Sequence, residues 1–159
     1  MRTSDLLLAA AAVVALIDHH ELRAEPAKMT IADCQAVLVG LNGLDGRAEM
    51  TKDGAAVTVP YQFGNGALRL AIQQNIAALN GVQQAFVKVQ QDLFREIAGS
   101  ATEIKPNTLE FAKYQKAVMD AQASPCDVTL VRIKASDLKL DKNEIPGSVL
   151  GALDRILDR

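Results

Sequence analysis

Residues 67–98 read ALRLAIQQNIAALNGVQQAFVKVQQDLFREIA. Ile72, Leu79, Phe86 and Leu93 recur every seven residues, and Ile76, Val82, Val89 and Ile97 fill the flanking positions. This is the apolar seam of a long helix of the coiled-coil type. Asn65 is its expected cap, and Gly99-Ser100 its stop. Asn80-Gly81 is a turn signal in mid-run, but the heptad keeps its phase across it. The stretch therefore predicts one continuous helix with a weak point. Glutamine pairs at 73–74, 83–84 and 90–91 lie mainly beside the seam.

On the C-terminal side, Asn107 is the expected cap of a second helix that runs to about Ala123, with Glu110 three residues after the cap. Phe111, Tyr114, Val118 and Ala121 recur there at three- and four-residue steps. The two helices are expected to pair as an antiparallel hairpin. Residues 126–133 alternate after Pro125 and read as a strand. Pro146 is placed at the first position of a final helix, with Val149, Leu150, Leu153, Ile156 and Leu157 on one side.

On the N-terminal side, Asp53-Gly54 lies between Ala48–Thr51 and Ala56–Val59 and signals a β-hairpin within 47–60. Val57 and Val59 are expected on a half-buried face, and Pro60 ends the strand or puts it at an edge. Thr30, with Asp33 three residues on, is a capping-box variant that starts a short helix to about Leu41. The expected fold class is α+β, mainly α. It comprises a long antiparallel helical hairpin, a small antiparallel sheet (hairpin 47–60 plus strand 126–133) and a C-terminal helix.

Length raises a question of assembly. A helix of about 32 residues spans roughly 48 Å, whereas a compact domain of this size is roughly 36 Å across. The second helix covers only about half of the first. The seam reads most simply as core. Its uncovered part needs the sheet and C-terminal helix, or a second copy of the chain.

Residues 1–28 are set apart from a single domain at 29–159. Arg2 precedes an apolar run, Leu6 to Ile17, of the length of a signal-peptide core. Asp5 and the polar stretch Asp18 to Arg23 fit that poorly, and the best small-residue site ends at Ala24. Three readings stay open: a cleaved signal, a retained helix from Asp5 to about Leu22 capped by Ser4, and a true start at Met29. No apolar run is long enough for a stable membrane span.

The 159 residues carry a net charge of −2, spread evenly, and no segment has the basic excess that phosphate binding uses. No nucleic-acid partner is expected. Cys34 and Cys126 match no metal or redox spacing. In an exported chain they are candidates for a disulfide, stabilising by about 4 kcal/mol in the chain-entropy model. The weak signal peptide favours free thiols.

Groups that carry chemistry are sparse. His19, His20 and Glu21 are adjacent and so point in different directions, unlike the i, i+4 pair of a metal-binding helix. Asp141, Asn143 and Glu144 resemble a calcium loop, but Ile145 and Pro146 stand where a ligand and the turn glycine belong. Gly64-Asn65-Gly66 reads as a flexible lead-in to a capped helix, with no P-loop lysine behind it. Glu96, Glu103 and Glu110 are expected to face solvent. No catalytic residue, cofactor or metal ligand is assigned.

From Met29 onward the layout resembles small uncharacterised proteins of tailed phages and prophages. The likeness covers about 30–158. It is carried by Leu-Asn-Gly-Leu-Asp-Gly at 41–46, Val-Pro-Tyr at 59–61 and Ala-Leu-Arg-Leu-Ala-Ile-Gln-Gln-Asn-Ile at 67–76. Phe-Arg-Glu-Ile at 94–97, Ile-Lys-Pro-Asn-Thr at 104–108, Ile-Lys-Ala-Ser-Asp-Leu at 133–138 and Ile-Pro-Gly-Ser-Val-Leu at 145–150 continue it. The resemblance implies a start near the Thr30 helix and implies no activity. The expected function is that of a non-enzymatic phage or prophage accessory or structural protein. It would act through helix-mediated contacts with itself or with another phage or host protein, in the cytoplasm or on the virion. The alternatives are a small exported envelope protein with a Cys34–Cys126 disulfide, periplasmic or secreted if residues 1–24 are a cleaved signal, and an inhibitor of a host protein.

Overall fold

The computed structural model describes residues 24–158. Thr30 ends strand β1 (Ala24–Thr30) and opens helix α1 (Ile31–Gly43). The Thr30 hydroxyl accepts from the Asp33 N–H at 3.1 Å, and the Asp33 carboxylate accepts from the Thr30 N–H at 2.9 Å. The capping box therefore forms with aspartate in place of glutamate. Strands β2 (Arg47–Met50) and β3 (Ala56–Val59) make the expected antiparallel hairpin. Gly54 takes the left-handed conformation its turn needs, at φ +80°. The hairpin lies on the surface, and Val57, expected on a half-buried face, is exposed.

The expected sheet of hairpin 47–60 plus strand 126–133 does not form. Strand β4 (Pro125–Val131) pairs with β1 instead, antiparallel, with Ala24 opposite Val131 and Thr30 opposite Pro125. Two constraints select that partner. The Ile31 N–H donates to the Ser124 carbonyl at 3.2 Å, which ties the start of α1 to the residue before β4. Val128 and Leu130 of β4 are buried in the core, whereas neither strand of the hairpin has a buried face to offer. Strand β1 also crosses the expected division at 28/29.

Helix α2 (Gly66–Ala98) is continuous through Asn80-Gly81 and about 50 Å long. The Asn65 side chain accepts from the Ala67 N–H at 2.9 Å, as a cap should. Helix α3 (Leu109–Gln122) packs back on α2. Its cap is Thr108, not Asn107. The Thr108 hydroxyl accepts from the Phe111 N–H at 3.2 Å, while Asn107 turns the chain at φ +64°, a conformation Asn tolerates.

After β4 come β5 (Ile133–Lys134), a 3-10 turn (Ala135–Leu138), α4 (Gly147–Leu153) and β6 (Leu157–Asp158). Pro146 immediately precedes α4 rather than occupying its first position. The helix also ends before Ile156 and Leu157, which were expected on its apolar side. The Ile156 carbonyl accepts from the Ile133 N–H at 2.9 Å, and β6 then runs parallel to β5. Leaving the helix lets the backbone pair while Leu153 and Ile156 both stay buried.

The core gathers around α1, against which α2, α4 and β1 pack. A Cβ at Gly40 would stand 2.9 Å from the Ala152 Cβ, and one at Gly43 2.8 Å from Val149 Cγ2. These two glycines let α4 lie close on α1.

Candidate interaction surface

The seam of α2 divides in two. Ile72, Leu79 and Phe86 are buried, and Ile76 and Val82 are half-buried against the core. Val89, one turn beyond Phe86, is 41% exposed, and Leu93 and Ile97 are half-buried. No residue of α2 after Phe86 is fully buried, and none of α3 is. Residues 87–122 thus form an arm that leaves the core. Within it, Phe94 meets Tyr114 edge-on, with ring centroids 6.1 Å apart and planes at 88°. Val87, Leu109 and Met119 add exposed apolar surface that the heptad did not single out.

The inner half of α2 is held by an unpredicted residue. Asn75 donates from Nδ2 to the Val131 carbonyl at 2.9 Å and accepts at Oδ1 from the Val131 N–H at 2.7 Å. One buried amide thereby satisfies both backbone groups at the end of β4. A polar residue three positions after Ile72, inside the apolar face, was the available signal. At the base of the arm, Gln122 donates to Gln35 at 3.1 Å and Gln35 donates to Gln83 at 3.0 Å. That amide chain joins α3, α1 and α2. Gln73, Gln74, Gln84 and Gln91 are exposed.

An apolar groove of about 610 Å³ runs between α2 and β4. Val82, Ala85, Phe86 and Val89 line one wall and Cys126 and Val128 the other. It is continuous with the arm through Val89. Gly81 stands beside it, and a Cβ there would meet nothing within 4 Å. The arm is electrically balanced, with five basic and five acidic residues over 87–122. Its ion pairs Asp92–Arg95 and Lys116–Asp120 lie within single helices and are exposed, so they stabilise little.

The remaining candidates take structural places. Asn143 is buried and accepts from the Gln62 N–H at 2.9 Å while donating to the Leu138 carbonyl at 2.9 Å. Glu144 pairs with Arg47 at 2.9 Å. Glu96, Glu103 and Glu110 are exposed. His19, His20, Glu21 and the apolar run Leu6 to Ile17 lie outside the described residues. Among the described residues no three His, Cys, Asp or Glu side chains gather as a metal site would need, and no helix is long and apolar enough to cross a membrane. Comparison with protein-family models, with curated protein sequences and with solved structures finds no match.

Proposed function

We propose that this chain is a non-enzymatic accessory protein, of the tailed-phage or prophage kind that its layout resembles, and that it acts by docking its helical arm on a second copy of itself. The observation that carries this reading is the fate of the seam. One heptad line runs the length of α2, yet only its inner half is buried. Contiguous apolar surface on a helix pair is characteristic of interaction sites. The even charge of the arm sets no like-charge barrier to self-association.

Light scattering and sedimentation equilibrium on the purified chain test it. A discrete oligomer is expected, and the double variant V89E/L93E is expected to be a folded monomer by circular dichroism. A wild-type chain that stays monomeric up to about 100 μM would remove self-association as the arm's role.

A second reading is export to the envelope, for which the signal-like segment ending at Ala24 is the motive. A chain starting at Glu25 keeps six of the seven β1 residues, and one starting at Met29 keeps two. Intact mass of the protein from its host separates the two starts.

A further inference from the structure

Cys34 and Cys126 are 92 positions apart in the chain and neighbours in the fold. Cys34 sits in the first turn of α1 and is 2% exposed. Cys126 is the second residue of β4 and is half-buried against the same core. Three features set their relative position. The β1–β4 ladder puts Met29 opposite Cys126. The Ile31 N–H is bonded to the Ser124 carbonyl. The Thr30–Asp33 box fixes the turn from which Cys34 projects. Both thiols are free, and Cys126 packs against the core cluster that contains Cys34.

We propose that Cys34 and Cys126 form a disulfide site, closed by a glutathione-type or protein disulfide into an intrachain bond that joins the first turn of α1 to β4. Cys126 is the more exposed sulfur and reacts first. Its thiolate attacks the oxidant's disulfide, giving a mixed disulfide on Cys126 and releasing one thiolate. Cys34 gives up its proton, and its sulfur attacks the Cys126 sulfur and expels the second thiolate. Two protein thiols are oxidised to one disulfide, the oxidant is reduced to two thiols, and the two protons end on those thiols.

The surroundings distinguish a structural crosslink from a sensor. Burial, with the Cys126 sulfur beside it, pushes the Cys34 thiol up to about 12. Redox sensors need an exposed thiolate of low pKa. Cys34 is the opposite, so the bond closes slowly, as a structural crosslink does. The inference is independent of the arm's role, because neither sulfur lies on α2 or α3.

The test uses the reduced full-length chain incubated with oxidised glutathione, then acid-quenched, alkylated under denaturing conditions and weighed. The expected product is about 2 Da lighter, resists alkylation and yields a linked peptide pair containing Cys34 and Cys126. Its thermal midpoint should rise by on the order of 10 °C over the reduced chain. C34S should stop at a glutathione adduct on Cys126. Two alkylatable thiols after incubation, a lasting adduct on wild-type Cys126 with Cys34 still free, or disulfides between chains would each overturn the proposal. The wild-type reaction alone decides it if the variant does not fold.

Discussion

The two halves of α2 share one repeat and have different surroundings. From Leu68 to Phe86 the helix is covered by α1 and β4, and Asn75 fastens it to the end of β4. From Val87 to Ala98 it packs on α3, Val89 still lines the groove beside β4, and no residue there is fully buried. Period in sequence therefore marks the face of a helix that is able to pack. How far along that face packing occurs depends on how many other elements reach it. The inner half behaves as core and the outer half as partly exposed surface.

Truncation at matched seam positions should separate the two halves most strongly. Phe86→Ala should cost about 3–5 kcal/mol, because it empties a fully buried site. Leu93→Ala should cost about 1 kcal/mol or less in the monomer. Urea unfolding measures both, and equal losses would mean that the arm is as much core as the inner half. Next in size is the Asn75 fastening. Asn75→Ala leaves the Val131 N–H and carbonyl without that amide and should cost about 2–3 kcal/mol. Hydrogen exchange should then quicken in β4 and the inner half while leaving the outer half unchanged.

A smaller effect is expected at α1, which covers the inner half. The Thr30 backbone N–H holds the Asp33 carboxyl below its ordinary value of 3.8, helped by the Thr30 hydroxyl and the Arg155 charge and opposed by partial burial. A lowered folded value stabilises the fold fully above the ordinary value, and the contribution is lost as pH falls through the folded one. The stability gap between wild type and Asp33→Asn should be constant near neutrality and shrink as the solution is acidified below 3.8. A gap that widens in acid would contradict the capping geometry. The smallest expected change sits near the junction of the halves. Gly81→Ala meets no neighbour within 4 Å and should stabilise α2 by about 0.5–1 kcal/mol in thermal melts.

Features with a local determinant were legible in the amino-acid sequence. The Asn65 cap, the Thr30–Asp33 box, the Asp53-Gly54 turn and the unbroken helix through Asn80-Gly81 all depend on residues within a few positions of each other. Thr108 displaced Asn107 as a cap because two adjacent residues both suit the role, and the turn after Pro106 assigns it. The candidate seam was legible as a line of residues, but its division after Phe86 was not. Asn75 was overlooked because its partner is the backbone of Val131, 56 positions away.

Composition and periodicity by themselves determined the number and kind of the main elements and the apolar face of α2, because caps, turns and heptads act over three to seven residues. The tertiary structure alone decided that β4 pairs with β1, that the hairpin stays on the surface and that α4 yields to β6. It also decided that Cys34 meets Cys126. Each of these depends on which apolar face remains uncovered and which backbone groups still need partners once the other elements are in place. That competition is settled across the whole chain.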